Sequence, residues 1–83
     1  MEDDQMNETI KNICQALKEE ADAVISYTDK IADTSHVEGM DATAQTLAQI
    51  RLDEMEHIQH LTLELTRLLT SGAESEVLYG TKA

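Results

Sequence analysis

The stretch Arg51–Leu61, RLDEMEHIQHL, decides how the chain folds. Counted in heptads from Leu47, it places Leu47, Ile50, Glu54, His57, Leu61 and Leu68 along one stripe of a helix. The aliphatic members mark this stripe as the seam by which the helix packs. Glu54 and His57 therefore stand where the pattern calls for hydrocarbon, and their chemistry needs a reason.

Upstream, Ile10, Ile13, Leu17, Glu20, Val24, Tyr27 and Ile31 recur at spacings of three and four, the seam of a second long amphipathic helix. An acid, Glu20, again occupies a seam position. Proline is absent and the glycines are Gly39, Gly72 and Gly80, so nothing breaks a helix on either side of Gly39 until Gly72. No stretch of β-branched alternation has the length of a strand. The expected architecture is an all-α antiparallel two-helix hairpin, with helix 1 over about 5–33, a loop over about 34–40, helix 2 over about 41–71 and a tail over 72–83. In the loop, Ser35 and Glu38 have the spacing of a capping box, and Asp41 is a second candidate N-cap for helix 2. Gly72 suits a C-terminal cap, and ESEVLY beyond it suits a short third helical piece.

Bulk composition narrows the function. An 83-residue chain with 2% aromatic residues is one domain with little capacity for a large core, so part of its stability is expected from partners. No apolar run is long enough to cross a bilayer, and the acidic start MEDDQMNET lacks the basic and apolar regions of a secretory signal, which points to the cytoplasm. The net charge of -11, with only 6 basic residues, excludes a phosphate-binding surface and hence a nucleic-acid partner, and it attracts metal cations. The lone Cys14 forms no internal disulfide and reads as a small buried helix residue without a role.

The chemistry rests on the residues that interrupt the seams. A carboxylate in a packed seam without a partner costs several kcal/mol, so Glu20, Glu54 and His57 call for a cation, a hydrogen-bond network or water. Glu54 and His57 are three apart on one helical face, and a Glu on one helix facing Glu-x-x-His on the next is half of a di-iron carboxylate site. Two chains complete it: four carboxylates balance two ferrous ions, and two imidazoles fill further coordination positions. Such a site would lie between subunits, in a four-helix bundle made from two hairpins. The competing reading is a non-enzymatic helical hairpin that works as an assembly module, its acids and His57 forming a polar layer that fixes register. His60 stands beside the seam and reads as a surface residue or a support for a ligand. His36 falls in the loop.

The stretches KEEADAVISYTDKIAD and IRLDEMEHIQHL resemble the ferritin-like superfamily, in particular the short half-ferritins such as the encapsulated ferritins, with one helical hairpin per chain. The resemblance spans about residues 14 to 65. Its first-helix pattern of Glu-Glu-x-acid-Ala-Val and an aromatic pair is matched by Glu19, Glu20, Ala21, Asp22, Ala23 and Val24, with Ser26 and Tyr27 at the pair. The resemblance implies a ferroxidase in iron storage or detoxification, with Glu20, Glu54 and His57 as iron ligands and Glu54 as the bridging carboxylate. It also implies that Tyr27 lies near the site and takes part in catalysis, and that Glu19 and Asp22 belong to the iron entry path. Ferrous iron and oxygen or peroxide are the implied partners, together with a second copy of the chain and, in the encapsulated members, an encapsulin shell. Ser26 departs from the first aromatic, the link to Glu-x-x-His is about one helical turn longer, and SEVLYGTKA is a poor match to the family's cargo peptide. Rubrerythrins share the helix-pair signature, so peroxide reduction is a variant of the same reading.

Overall fold

The computed structural model describes residues 2–79, and side chains over residues 4–71. Two helices, α1 (Glu2–Ser35) and α2 (Asp41–Tyr79), pack against each other along their length, and no strand occurs among the described residues. The hairpin is a long, thin layer of 65 × 21 × 13 Å. No helix among the described residues is long and apolar enough to cross a membrane.

The turn explains where the helices end. α1 closes at Ser35, whose Oγ donates back to Ala32 O at 2.9 Å instead of opening the next helix. The chain then reverses through backbone bonds from Val37 N to Thr34 O (3.0 Å) and from Met40 N to Val37 O (3.2 Å). Gly39 sits at φ 84, in the left-handed region that a side chain disfavours. Met40 O accepts from Ala44 N at 2.9 Å, which puts Met40 at the cap position and Asp41 in the first turn, where its charge complements the helix dipole. Of the expected caps, neither Ser35 nor Asp41 takes the N-cap place, while the start of helix 2 at Asp41 is as expected.

α1 overruns the expected 5–33 at both ends. α2 continues through Gly72 to Tyr79, so Gly72 does not end it and ESEVLY extends the same helix. A glycine inside a helix costs only about 1 kcal/mol relative to alanine, and no proline follows to force a stop. Residues 80–83, the end of the expected tail, lie outside the described residues.

The expected seams form the contact between the helices. Ile13, Leu17, Glu20, Val24, Tyr27 and Ile31 of α1, with Leu47, Ile50, Glu54, Leu61 and Leu68 of α2, are half-buried or better. Among the described residues only Leu68, at 7% exposure, is a buried hydrophobe. Ile25 (61%) and Leu63 (69%) stand largely in the open. Two helices give each seam one wall, so apolar surface on either flank remains uncovered. Cys14, expected to be buried, is exposed for this reason: it lies on a flank of α1 beyond the reach of α2.

Candidate metal centre

One turn of α2 supplies Glu54 and His57 at the i, i+3 spacing that aligns side chains on a helical face, and α1 brings Glu20 opposite them. His57 Nδ1 lies 3.4 Å from Glu54 Oε1 and 3.5 Å from Glu20 Oε2. One ligand atom from each of Glu20, Glu54 and His57 falls within 4.8 Å of the others, a grouping able to hold a metal ion. The two carboxylates are mostly covered, at 25% and 22% side-chain exposure, whereas the imidazole is 53% exposed. His57 is thus at the edge of the seam and not within it, so the cluster has a covered acidic floor and an open imidazole rim.

The electrostatics of the floor are unfavourable as it stands. Glu54 is held above the ordinary carboxyl pKa, first by desolvation, then by its hydrogen bond to Glu20 and the charges of Glu20 and Asp53, with His57 acting in the opposite direction. The negative charge of a neighbouring carboxylate makes ionisation of Glu54 harder. Glu20 Oε1 is shielded from solvent and has no hydrogen-bond partner. An acceptor of this kind is costly unless something satisfies it. Two carboxylate oxygens and an imidazole nitrogen form a donor set suited to iron, manganese or zinc. The residues present therefore fit a transition-metal ion, and among the described residues one chain supplies three side chains to it.

The remaining expected site residues lie apart from this cluster. Glu19 and Asp22 are exposed on α1 and engage their own helix, Glu19 Oε2 accepting from Gln15 Nε2 at 3.3 Å and Asp22 Oδ2 pairing with Lys18 Nζ at 3.1 Å. Tyr27 is half-buried on the seam, two turns from Glu20, with Lys30 Nζ 5.4 Å from its ring centroid. His60 is exposed, and His36 lies in the turn.

One residue escaped the sequence reading. Arg51, one turn before Glu54, crosses to α1 and donates from Nη1 to Thr28 Oγ1 at 3.1 Å, while that hydroxyl donates to Val24 O at 2.8 Å. Its Nε is shielded and without a partner. The available signal was positional, since Leu47, Arg51, Glu54 and Ile58 follow one another at helical spacing along the packed face.

Comparisons of the chain with known protein families, with curated proteins and with solved structures find no match.

Proposed function

We propose that the protein is a ferroxidase, and that two chains bring their Glu20, Glu54 and His57 together around ferrous iron. The observation that carries this reading is the convergence of three ligand atoms from two helices within 4.8 Å, beside the unsatisfied Glu20 Oε1. Three side chains leave coordination positions open, and a second copy supplies the same set again. Association of this kind makes a four-helix bundle of two hairpins.

Ferrous iron is the substrate here, and each ion gives up one electron to oxygen or peroxide. The chain's own residues do the rest. Glu20 and Glu54 offer hard anionic oxygens, which favour the more highly charged ferric product over the ferrous substrate. Iron binds the ionised form of Glu54, whose pKa crowding raises, so iron and a proton compete for this carboxyl. His57, on the open side, adds a nitrogen ligand without adding charge and is the first of the three met from solvent. Tyr27 lies on the same stripe as Glu20 and is available as a local electron donor.

The test is iron oxidation by wild type and His57→Ala, with helix content followed by circular dichroism. The substitution removes a ligand on an open rim and little packing, so helix content should persist while oxidation is lost. Equal oxidation rates in the two proteins would remove His57 from the site.

The second reading, a register-fixing polar layer in an assembly module, is favoured by the approach of His57 Nδ1 to both Glu54 Oε1 and Glu20 Oε2, which partly satisfies the cluster without metal. Protein purified without chelator separates the two: stoichiometric iron supports the ferroxidase, and metal-free oligomers support the module. Rubrerythrin-like peroxide reduction uses the same ligands and differs in the oxidant that discharges bound ferrous iron fastest. A cytoplasmic location is part of the proposal as the setting for this chemistry, and the poor match of SEVLYGTKA to a cargo peptide leaves an encapsulin shell outside it.

A further inference from the structure

We infer that Thr28 is a latch that holds the Arg51 guanidinium away from Glu54, and so keeps the acidic floor free for a metal cation. The inference rests on the metal centre proposed above and adds a positioning pair to it. Arg51 lies half-buried on the packed face of α2, one turn before Glu54. Its Nη1 donates to Thr28 Oγ1 at 3.1 Å, and that hydroxyl is fixed in turn by donating to Val24 O at 2.8 Å. A neutral hydroxyl is a weaker acceptor for a guanidinium than a carboxylate is, and Arg51 Nε, shielded from solvent, has no acceptor at all. Three residues further along the same helix, Glu54 is held above the ordinary carboxyl pKa, and the positive group that counters the rise is His57. A cation short of acceptors thus stands one turn from a carboxyl short of positive charge.

Other cations of the chain take the carboxylate within their reach. Lys18 Nζ pairs with Asp22 Oδ2 at 3.1 Å. Arg67 Nε donates to Glu64 Oε1 at 3.1 Å across a spacing of three residues, and this bond holds the Glu64 carboxyl below its ordinary pKa. Arg51 and Glu54 have the same spacing in the reverse order, close enough to pair along one helical face. The difference lies in Thr28, which offers Arg51 a fixed acceptor on the opposite helix and draws the guanidinium toward the turn. Freed from Thr28, the guanidinium would meet Glu54, relieve its crowding against Glu20 and compete with any metal for the same carboxylate oxygens. The latch therefore decides whether the cation at this floor comes from the chain or from solution.

The test is a double-mutant cycle between Arg51→Met and Glu54→Gln, read by denaturant unfolding with chelator present, in wild type and in Thr28→Val. In wild type the two substitutions should change the unfolding constant additively to within roughly twofold, and in Thr28→Val they should couple by roughly fivefold, because the freed guanidinium pairs with Glu54. Additivity in both backgrounds, or equal coupling in both, would overturn the proposal. Thr28→Ser keeps the hydroxyl and should behave as wild type does, so coupling there as strong as in Thr28→Val would also overturn it. Where wild type binds ferrous iron saturably, anaerobic titration reads the consequence: Thr28→Val should bind iron roughly tenfold more weakly, and adding Arg51→Met should restore the affinity. A purely structural role for Thr28 would not allow that rescue, and a loss that Arg51→Met leaves unrepaired would count against the latch. Because the cycle is run without metal, failure of the latch and failure of the ferroxidase reading are told apart.

Discussion

His57 Nδ1 and Glu20 Oε2 face each other across the helix pair at 3.5 Å, although they belong to different helices on either side of the turn. This distance makes the cluster a property of the hairpin, and it ties metal chemistry to packing: whatever draws these side chains together also closes α1 on α2.

Ferrous iron should therefore strengthen association. Ligands drawn from two chains make metal affinity and subunit affinity reciprocal. At free iron one hundred times the dissociation constant, the linkage amounts to about 2.7 kcal/mol. Light scattering under anaerobic conditions, with ferrous iron and with chelator, should show a larger mean mass with iron at dilute protein. Equal masses at a concentration where the chelated protein is partly dissociated would speak against a shared site.

Replacing Glu54 by Leu should raise the melting temperature of the metal-free protein by several degrees, because it removes a crowded carboxyl and restores hydrocarbon to the seam between Ile50 and Leu61. The same variant should gain nothing from iron. A metal-free variant that melts below wild type would contradict the account of Glu20 and Glu54 as mutually strained, and a retained gain from iron would show that Glu54 is not a ligand.

The raised pKa of Glu54 sets a pH dependence with a definite sign. A carboxyl whose folded pKa lies above its unfolded value contributes stability that is complete below the unfolded pKa and is lost as pH rises through the folded one. Acidification from neutrality should therefore stabilise the chelated protein more in wild type than in Glu54→Gln, a difference that cancels the general relief of acidic self-repulsion. Ferrous binding should change in the opposite sense, weakening as pH falls. Thermal melts of both proteins across the mildly acidic range read the first effect, and identical pH profiles would exclude Glu54 as its source.

Gly39→Ala should cost roughly 1 kcal/mol, through backbone conformation alone. Gly39 holds φ +84, and a Cβ added there meets nothing within 4 Å, so no steric clash contributes. Denaturant unfolding reads the loss directly, and an unchanged midpoint would mean that the turn re-forms without its left-handed residue.

Much of this architecture is legible in the residues themselves. The spacing of Leu47, Ile50, Glu54, Leu61 and Leu68 defines a face, and the matching run from Ile13 to Ile31 defines its partner, so placing Glu20 opposite Glu54 and His57 needs only that the helices be antiparallel. Periodicity does not report depth. It marks His57 as a seam residue, but a two-helix contact leaves that edge open and the imidazole half in solvent. The usual burial of a free cysteine suggests a covered Cys14, but it stands beside the seam and is exposed. Arg51 was passed over because a charged residue beside a seam ordinarily points to water, and only the position of Thr28 on α1 turns it inward. Gly72 misled because its conformational freedom permits a cap without requiring one.

The central claim is that Glu20, Glu54 and His57 hold ferrous iron as half of a shared centre, and anaerobic ferrous titration followed by admission of oxygen tests it most directly. The account predicts saturable binding of about one iron per chain, two per pair of chains, and rapid oxidation of the bound iron when oxygen enters. It predicts that both are lost when Glu20, Glu54 and His57 are replaced together by Gln, Gln and Ala. Weak, unsaturable binding that the triple replacement leaves unchanged would contradict it, because iron would then be held by the general acidity of the chain and not by this site.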